Sequence, residues 1–187
     1  RVETVGPPFK GNEVKIAEDG EILVKGENVM LGYWNKKEET NQVLKNGWLY
    51  TGDIGEIDPR DGYLKITDRK KDIIVSAGGD NISPAKIENQ LLNNTEIDQS
   101  LIYGDGKNYL VALIVPSKDF VDKKEKITEI VNTINNNLTI IEKIKNFHLI
   151  NENFTIENGL LTPTMKVKRN KVIEKYKNIL ENFYKKL

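Results

Sequence analysis

A chain of 187 residues, 38% hydrophobic and 30% charged, can bury one ordinary core or two small ones beneath a well-solvated surface. Its 28 basic residues balance 28 acidic ones, which excludes the excess of Lys and Arg on which general nucleic-acid binding rests. The absence of cysteine excludes a disulfide framework and thiolate metal sites and fits a cytoplasmic setting, and the longest apolar run, Tyr109 to Pro116, is too short to span a bilayer. The chain begins at Arg1 with no initiator Met and no signal segment, and Val2 to Lys25 enters a strand pattern at once, as expected of a piece of something longer.

Residues 1–68 predict a meander of short strands: Glu13–Ala17, Glu21–Lys25, Trp48–Tyr50, Ile54–Ile57 and Tyr63–Thr67. Turn signals separate them at Gly6-Pro7-Pro8, Asp19-Gly20, Asn46-Gly47 and Pro59-Arg60-Asp61-Gly62, and Glu38 to Leu44 fits a short helix. Strands at this density predict a small, distorted β-barrel portion. Residues 69–72 read as a joint, and from residue 73 to 187 the texture becomes mixed helix and strand. There Ile73 to Val75 is a short strand, and Ser83-Pro84 caps a helix running to about Leu92. Leu101–Tyr103 and Tyr109–Val115 predict a hairpin, followed by a helix from about Phe120 to Lys143 with apolar residues at three- and four-residue spacing. Ile144–Ile150 predicts a strand, and a stripe from Val172 to Leu187 predicts a closing helix. The fold class is therefore α+β, a barrel portion followed by a compact α+β domain.

Four segments carry candidate chemistry. Asp53, in Tyr50-Thr51-Gly52-Asp53, follows a strand beside a glycine, where a carboxylate either accepts hydrogen bonds from a ribose diol or simply closes a turn. Trp48 and Tyr50 suit core or wall positions. Asp68-Arg69-Lys70-Lys71-Asp72 contains an Arg whose planar fork matches ribose or phosphate oxygens, and it lies at the change of texture, where a joint concentrates backbone rotation; as an isolated charge run it is a solvated loop. Gly78-Gly79 either leaves room for a narrow ligand along the backbone or makes a turn. Ser83 is most economically a helix cap and Glu88 a surface helix residue. Lys166, in a loop after Thr162-Pro163-Thr164, can bring a compact positive charge to developing negative charge on a phosphoryl or acyl centre, although a Lys in a Lys-rich tail usually faces solvent. The single His148 reads as structural, and one His with no Cys makes neither a metal site containing His nor a Cys–His nucleophile pair.

Gly47-Trp48-Leu49-Tyr50-Thr51-Gly52-Asp53, Thr67-Asp68-Arg69-Lys70-Lys71-Asp72-Ile73-Ile74, Gly78-Gly79 and Ile82-Ser83-Pro84 with Ile87-Glu88 resemble, in order, the late motifs of the adenylate-forming superfamily. Gly20 to Gly26 and Val29 to Trp34 fit upstream, while Leu161 to Arg169 and Glu174 to Lys177 are similar to its long-chain fatty acid branch. The resemblance covers essentially the whole chain. It implies the last part of the large domain and the whole mobile small domain of an AMP-forming acyl-CoA ligase, inactive as a fragment, that uses ATP, Mg²⁺ and CoA on fatty acids. It further implies that Asp53, with Tyr50 and Thr51, holds the nucleotide, that Arg69 assists at ribose and phosphates, and that the small domain swings about Lys71. Lys166 would neutralise charge during acyl-AMP formation, and Gly78 and Gly79 would line the CoA path after rotation. The phosphate loop and the acidic residue for Mg²⁺ would belong to sequence upstream of this chain. Many relatives place Gly before the catalytic lysine, whereas this chain has Met165.

Two other readings stand beside this one. A related adenylating enzyme would load a carrier protein or release acyl-AMP. A stand-alone module would use the Lys-rich last helix to touch CoA phosphates or a membrane peripherally, although Glu174 and Glu181 among the lysines suit an ordinary solvated face.

Overall fold

The computed structural model describes all residues except Glu3, Asp122, Lys186 and Leu187. The chain divides into two compact units, Arg1–Ile73 and Ile74–Leu187.

The first unit contains β1 (Asn12–Ile16), β2 (Glu21–Gly26), α1 (Lys37–Val43), β3 (Leu44–Lys45), β4 (Trp48–Ile57) and β5 (Leu64–Arg69). They form one antiparallel sheet, curled as a half-barrel, in which β4 pairs with β2 along one edge and with β3 and then β5 along the other. The two short strands expected at Trp48–Tyr50 and Ile54–Ile57 are one strand of ten residues, because the backbone between them bulges without leaving the sheet. The two-residue strand β3 carries too little pattern to read alone. It is fixed by the hairpin turn Asn46-Gly47, whose φ values of 52° and 78° match the twist of the flanking strands.

In the second unit β6 (Ile74–Val75) and β7 (Asn81–Ile82) make a small ribbon that leads into α2 (Pro84–Leu92). Ser83 caps α2 as expected, its hydroxyl accepting the Lys86 N–H at 3.2 Å. A three-stranded sheet has the order β10 (Ile144–Leu149), β9 (Leu110–Pro116), β8 (Ile97–Tyr103); β8 is antiparallel and β10 parallel to β9. The parallel return is made across α3 (Lys124–Asn136). Central β9 is buried on both faces, which explains its unbroken apolar run. Leu110, Ala112 and Ile114 face α2 and α3, while Val111, Leu113 and Val115 face Phe154, Leu161, Val172 and Leu180.

The long helix expected over Phe120–Lys143 is shorter. Its end is fixed by Asn135, whose side-chain amide holds both the N–H and the C=O of Ile144 at 2.8 and 2.9 Å. Thr139 and Glu142 then form a capping box over a separate 3₁₀ turn, Ile140–Glu142. The closing helix is two, α4 (Arg169–Lys175) and α5 (Lys177–Asn182), parted at Tyr176, whose φ and ψ of −102° and 14° leave the helical range; the expected end at Leu187 lies outside the described residues. The chain end is tied to the hairpin by Tyr184, which stacks on Tyr109 at 4.8 Å and donates its hydroxyl to the Tyr109 carbonyl at 3.0 Å.

Candidate functional site

The segment Tyr50 to Asp53 owes its shape to the bulge in β4. Leu23 opposes Tyr50 and Glu21 opposes Ile54, so Ile22 alone faces Thr51, Gly52 and Asp53. Gly52 takes a φ of 73°, a conformation that an L side chain rarely adopts. The Thr51 hydroxyl donates to the Ile22 carbonyl at 2.8 Å and accepts the Asp53 N–H at 3.1 Å, so it shapes the backbone. The Gly52 N–H donates at 2.8 Å to the carboxylate of Glu21, a residue only 4% exposed. Lys70 closes the network by donating to Glu21 at 2.9 Å and to Asp19 at 2.6 Å. Hydrogen bonds to Asp19 first, and to Glu21, raise the Lys70 pKa; the same ammonium holds the Asp19 carboxyl below its ordinary value.

Asp53 and Arg69 sit opposite each other on β4 and β5, and Arg69 Nε meets Asp53 Oδ1 at 2.7 Å. The pair presents a carboxylate acceptor and an exposed guanidinium fork side by side, a combination suited to hydroxyl and phosphate oxygens. Trp48 and Tyr50 are half-buried walls of the same sheet, with Lys15 Nζ 4.0 Å from the Trp48 ring centre and Lys45 Nζ 4.9 Å from that of Tyr50. Beyond β5 the chain makes a single 3₁₀ turn, Lys70–Asp72, with Lys71 exposed on it.

In the second unit Gly78 and Gly79 lie in a turn organised by Ser76, whose hydroxyl accepts the N–H groups of Gly78 and Asp80, each at 3.1 Å. Gly79 has a φ of 89° and open space where a Cβ would stand, so its need for glycine is conformational. The turn borders a cavity of about 190 Å³ with Asp80, Lys107, Tyr109 and Ile141 among its other walls.

Lys166 lies on the return arm of a tight hairpin, just past its turn at Pro163-Thr164. Leu161 and Val167 bridge its stem, Thr162 N–H donates to the Lys166 carbonyl at 2.8 Å, and Met165 N–H to the Thr162 carbonyl at 2.9 Å. The Thr162 hydroxyl also accepts the Lys166 N–H at 3.0 Å. Met165 adopts a φ of 63°, where an L side chain costs about 1–2 kcal/mol and a glycine costs almost nothing. Lys166 is exposed on the return arm of a closed and braced loop.

The family model for the AMP-binding enzyme C-terminal domain matches residues 71–187. The chain belongs to the AMP-binding enzyme family. Over its whole length it is 40% identical to the long-chain-fatty-acid–CoA ligase FadD15 of Mycobacterium tuberculosis, of which it covers 34%. Mouse long-chain-fatty-acid–CoA ligase 5 is 36% identical over 98% of the chain and 32% of its own length. The chain thus spans about a third of the length of these relatives. Among solved structures, the A domain of the carboxylic acid reductase of Segniliparus rugosus, in complex with AMP and a co-purified carboxylic acid, superimposes with a TM-score of 0.83 at 25% identity. That match covers 95% of this chain and 32% of the other.

Within this family frame, the residues singled out by sequence fall into two groups. Tyr50, Thr51, Asp53, Arg69 and Lys71 lie in the first unit, and Gly78, Gly79 and Lys166 lie in the second. Asp53 and Arg69 are in direct contact. The supports beneath these groups escaped the sequence reading. Glu21 and Lys70 stand 49 residues apart, and nothing local marks them as partners. Glu88, expected on the helix surface, is instead largely covered: its side chain is 15% exposed and meets Arg169 at 2.6 Å.

Proposed function

We propose that this chain is the C-terminal part of an ATP-dependent long-chain fatty acyl-CoA ligase, comprising the end of its large domain and its small domain, joined at residues 69–72. The observation that carries the reading is the 40% identity, across the whole chain, to a relative named as a long-chain-fatty-acid–CoA ligase. In the first half-reaction a fatty acid carboxylate attacks the α-phosphorus of ATP, forming acyl-AMP and releasing diphosphate. In the second, the CoA thiol attacks the acyl carbon, forming the thioester and releasing AMP.

The proposed roles follow from the family resemblance, and the local geometry is compatible with them. Asp53 accepts from the ribose hydroxyls, with the Arg69 fork beside it for further ribose and phosphate oxygens, while Tyr50 walls the same strand and Thr51 holds the bulge. Lys166 places its ammonium against the charge that builds on the α-phosphate as the carboxylate adds. Lys71, on the single turn between the units, is the pivot that exchanges the faces of the small domain. The open backbone at Gly78-Gly79 then serves the CoA arm. Mg²⁺ would screen the nucleotide phosphates; among the described residues no cluster of three His, Cys, Asp or Glu forms a candidate set of ligands, and we assign none of them to it. A cytoplasmic enzyme with peripheral membrane contact suits a substrate that partitions into lipid, and among the described residues no helix is long and apolar enough to cross a membrane.

The test is acyl-CoA formation. Expressed with the upstream two thirds that its relatives carry, the protein should convert a long-chain fatty acid, ATP and CoA into acyl-CoA, AMP and diphosphate, while the 187-residue chain alone should form none. Transfer to a carrier protein but not to CoA, or product from the chain alone, contradicts the reading.

A further inference from the structure

Three polar groups meet where the Lys166 hairpin joins the body of the second unit. Arg169 is the first residue of α4, three positions after Lys166. Its Nη1 meets Glu88 Oε1 at 2.6 Å, and its Nη2 donates to the Ile102 carbonyl at 2.6 Å. The same Glu88 oxygen accepts the Ile102 N–H at 2.7 Å. The side chains of Arg169 and Glu88 are 16% and 15% exposed.

The location gives this triangle its meaning. β8 is the edge of its sheet, so the Ile102 peptide groups that point away from β9 have no strand to pair with. Ile102 itself is fully buried, and an unmade bond there would be costly. The ion pair satisfies both groups with one planar fork and one carboxylate. It thereby fastens three segments at a single point: α2, the edge strand and the start of α4. The hairpin stem is attached directly to that point, since the Lys168 N–H donates to the Leu160 carbonyl at 2.8 Å and Lys168 precedes Arg169. The hairpin has its own internal bonds, but these fix only its shape. Its bearing on the unit is set at the stem, and there Arg169 is the charged residue held from two sides.

We infer that Arg169 and Glu88 are positioning residues that fix the direction in which the Lys166 hairpin projects. Neither reaches a substrate; they act through the stem. Because Glu88 lies on the helix that follows the Gly78-Gly79 turn, the same clamp makes that turn and the Lys166 hairpin move as one body. Lysine at position 169 would retain the charge but lose the second arm of the fork, so R169K separates charge from geometry.

The claim for the activity arm rests on the role proposed above for Lys166, whereas the structural arm does not. Amide exchange by mass spectrometry on the 187-residue chain, comparing wild type with R169K and E88Q, reads the structural arm. We expect exchange across residues 160–168 to accelerate about tenfold or more in both variants, while β9 exchanges as in wild type. Unchanged exchange at 160–168, or equal acceleration in β9, overturns the inference. In the complete ligase, R169K should slow acyl-AMP formation about tenfold or more at unchanged KM for ATP, and leave thioester formation from supplied acyl-AMP within about twofold. Equal loss of both steps would mark a merely structural pair. If K166A does not impair acyl-AMP formation, the function assigned to Lys166 fails, and the exchange data still decide the clamp.

Discussion

The two units hold their candidate residues in contrasting ways. In the first, Ile22 and Leu23 are the only buried hydrophobic side chains among the described residues, and the bulge bearing Asp53 is secured by polar contacts: Thr51 on Ile22, Glu21 on Gly52, Lys70 on Glu21. Phe9, Leu31 and Trp34 of this unit are 84–103% exposed. In the second, β9 is buried on both faces between two apolar clusters, and the Lys166 hairpin hangs from that mass through its stem. A site on a sheet with little core of its own is shaped by hydrogen bonds and charge. A site on a dense core can project as a stiff, exposed finger.

The largest effect that would break this contrast is a difference in autonomy. Each fully buried Leu, Ile, Val or Phe contributes about 1.5–3 kcal/mol, and the second unit holds nearly all such residues. Residues 74–187 expressed alone should therefore unfold cooperatively by circular dichroism, whereas residues 1–73 alone should show no cooperative transition. A cooperatively folded 1–73 would show that polar contacts and half-buried strands suffice for that unit. A smaller effect is expected from Lys70→Met. It leaves the Glu21 carboxylate nearly buried with the Gly52 N–H, and should destabilise the first unit by about 1–3 kcal/mol in denaturant titrations of the chain. No change would mean that the bulge stands without its charged brace.

The smallest effect is one of pH and lies at the chain end. Burial first, and then the hydrogen bond to Glu181, pushes the Tyr103 hydroxyl up to about 12 from 10.0. A raised folded pKa means that the folded state keeps its proton longer. The stabilisation is fully present below pH 10 and is lost as pH rises from 10 through about 12. Tyrosinate absorbance should show late ionisation from Tyr103 together with Tyr176 and Tyr184, which burial also raises, and Tyr103→Phe should remove one of these late contributions; protease cleavage near α5 should rise over the same window. Ionisation of Tyr103 at the ordinary value would remove the hydroxyl from the forces that dock the chain end.

How much of this was legible in the sequence follows the same division. Strand alternation and the turn signals located most elements of both units, because backbone preference and face burial are written locally. The Ser83-Pro84 helix start is a good instance. Boundaries were lost where a side chain acts at a distance: Asn135 ends α3 by bonding Ile144, nine residues on, against an apolar periodicity that carries on through Leu138 to Ile141. β4 read as two strands because a bulge interrupts the alternation but not the pairing. Among candidate residues, the motifs gave Asp53, Arg69 and Lys166, yet not what holds them. Glu88 and Arg169 lie 81 residues apart, and a pair at that separation leaves no local trace.

The most direct test of the central claim is the effect of Lys166→Ala on the two half-reactions of the complete ligase. Measured as diphosphate–ATP exchange dependent on fatty acid, acyl-AMP formation should fall by about 10²-fold or more, as expected when a charge aimed at the transition state is removed. Thioester formation from supplied acyl-AMP and CoA should stay within about threefold of wild type, because the proposed scheme gives Lys166 no part in that step. Equal loss in both reactions, or exchange that survives the substitution, would contradict the account.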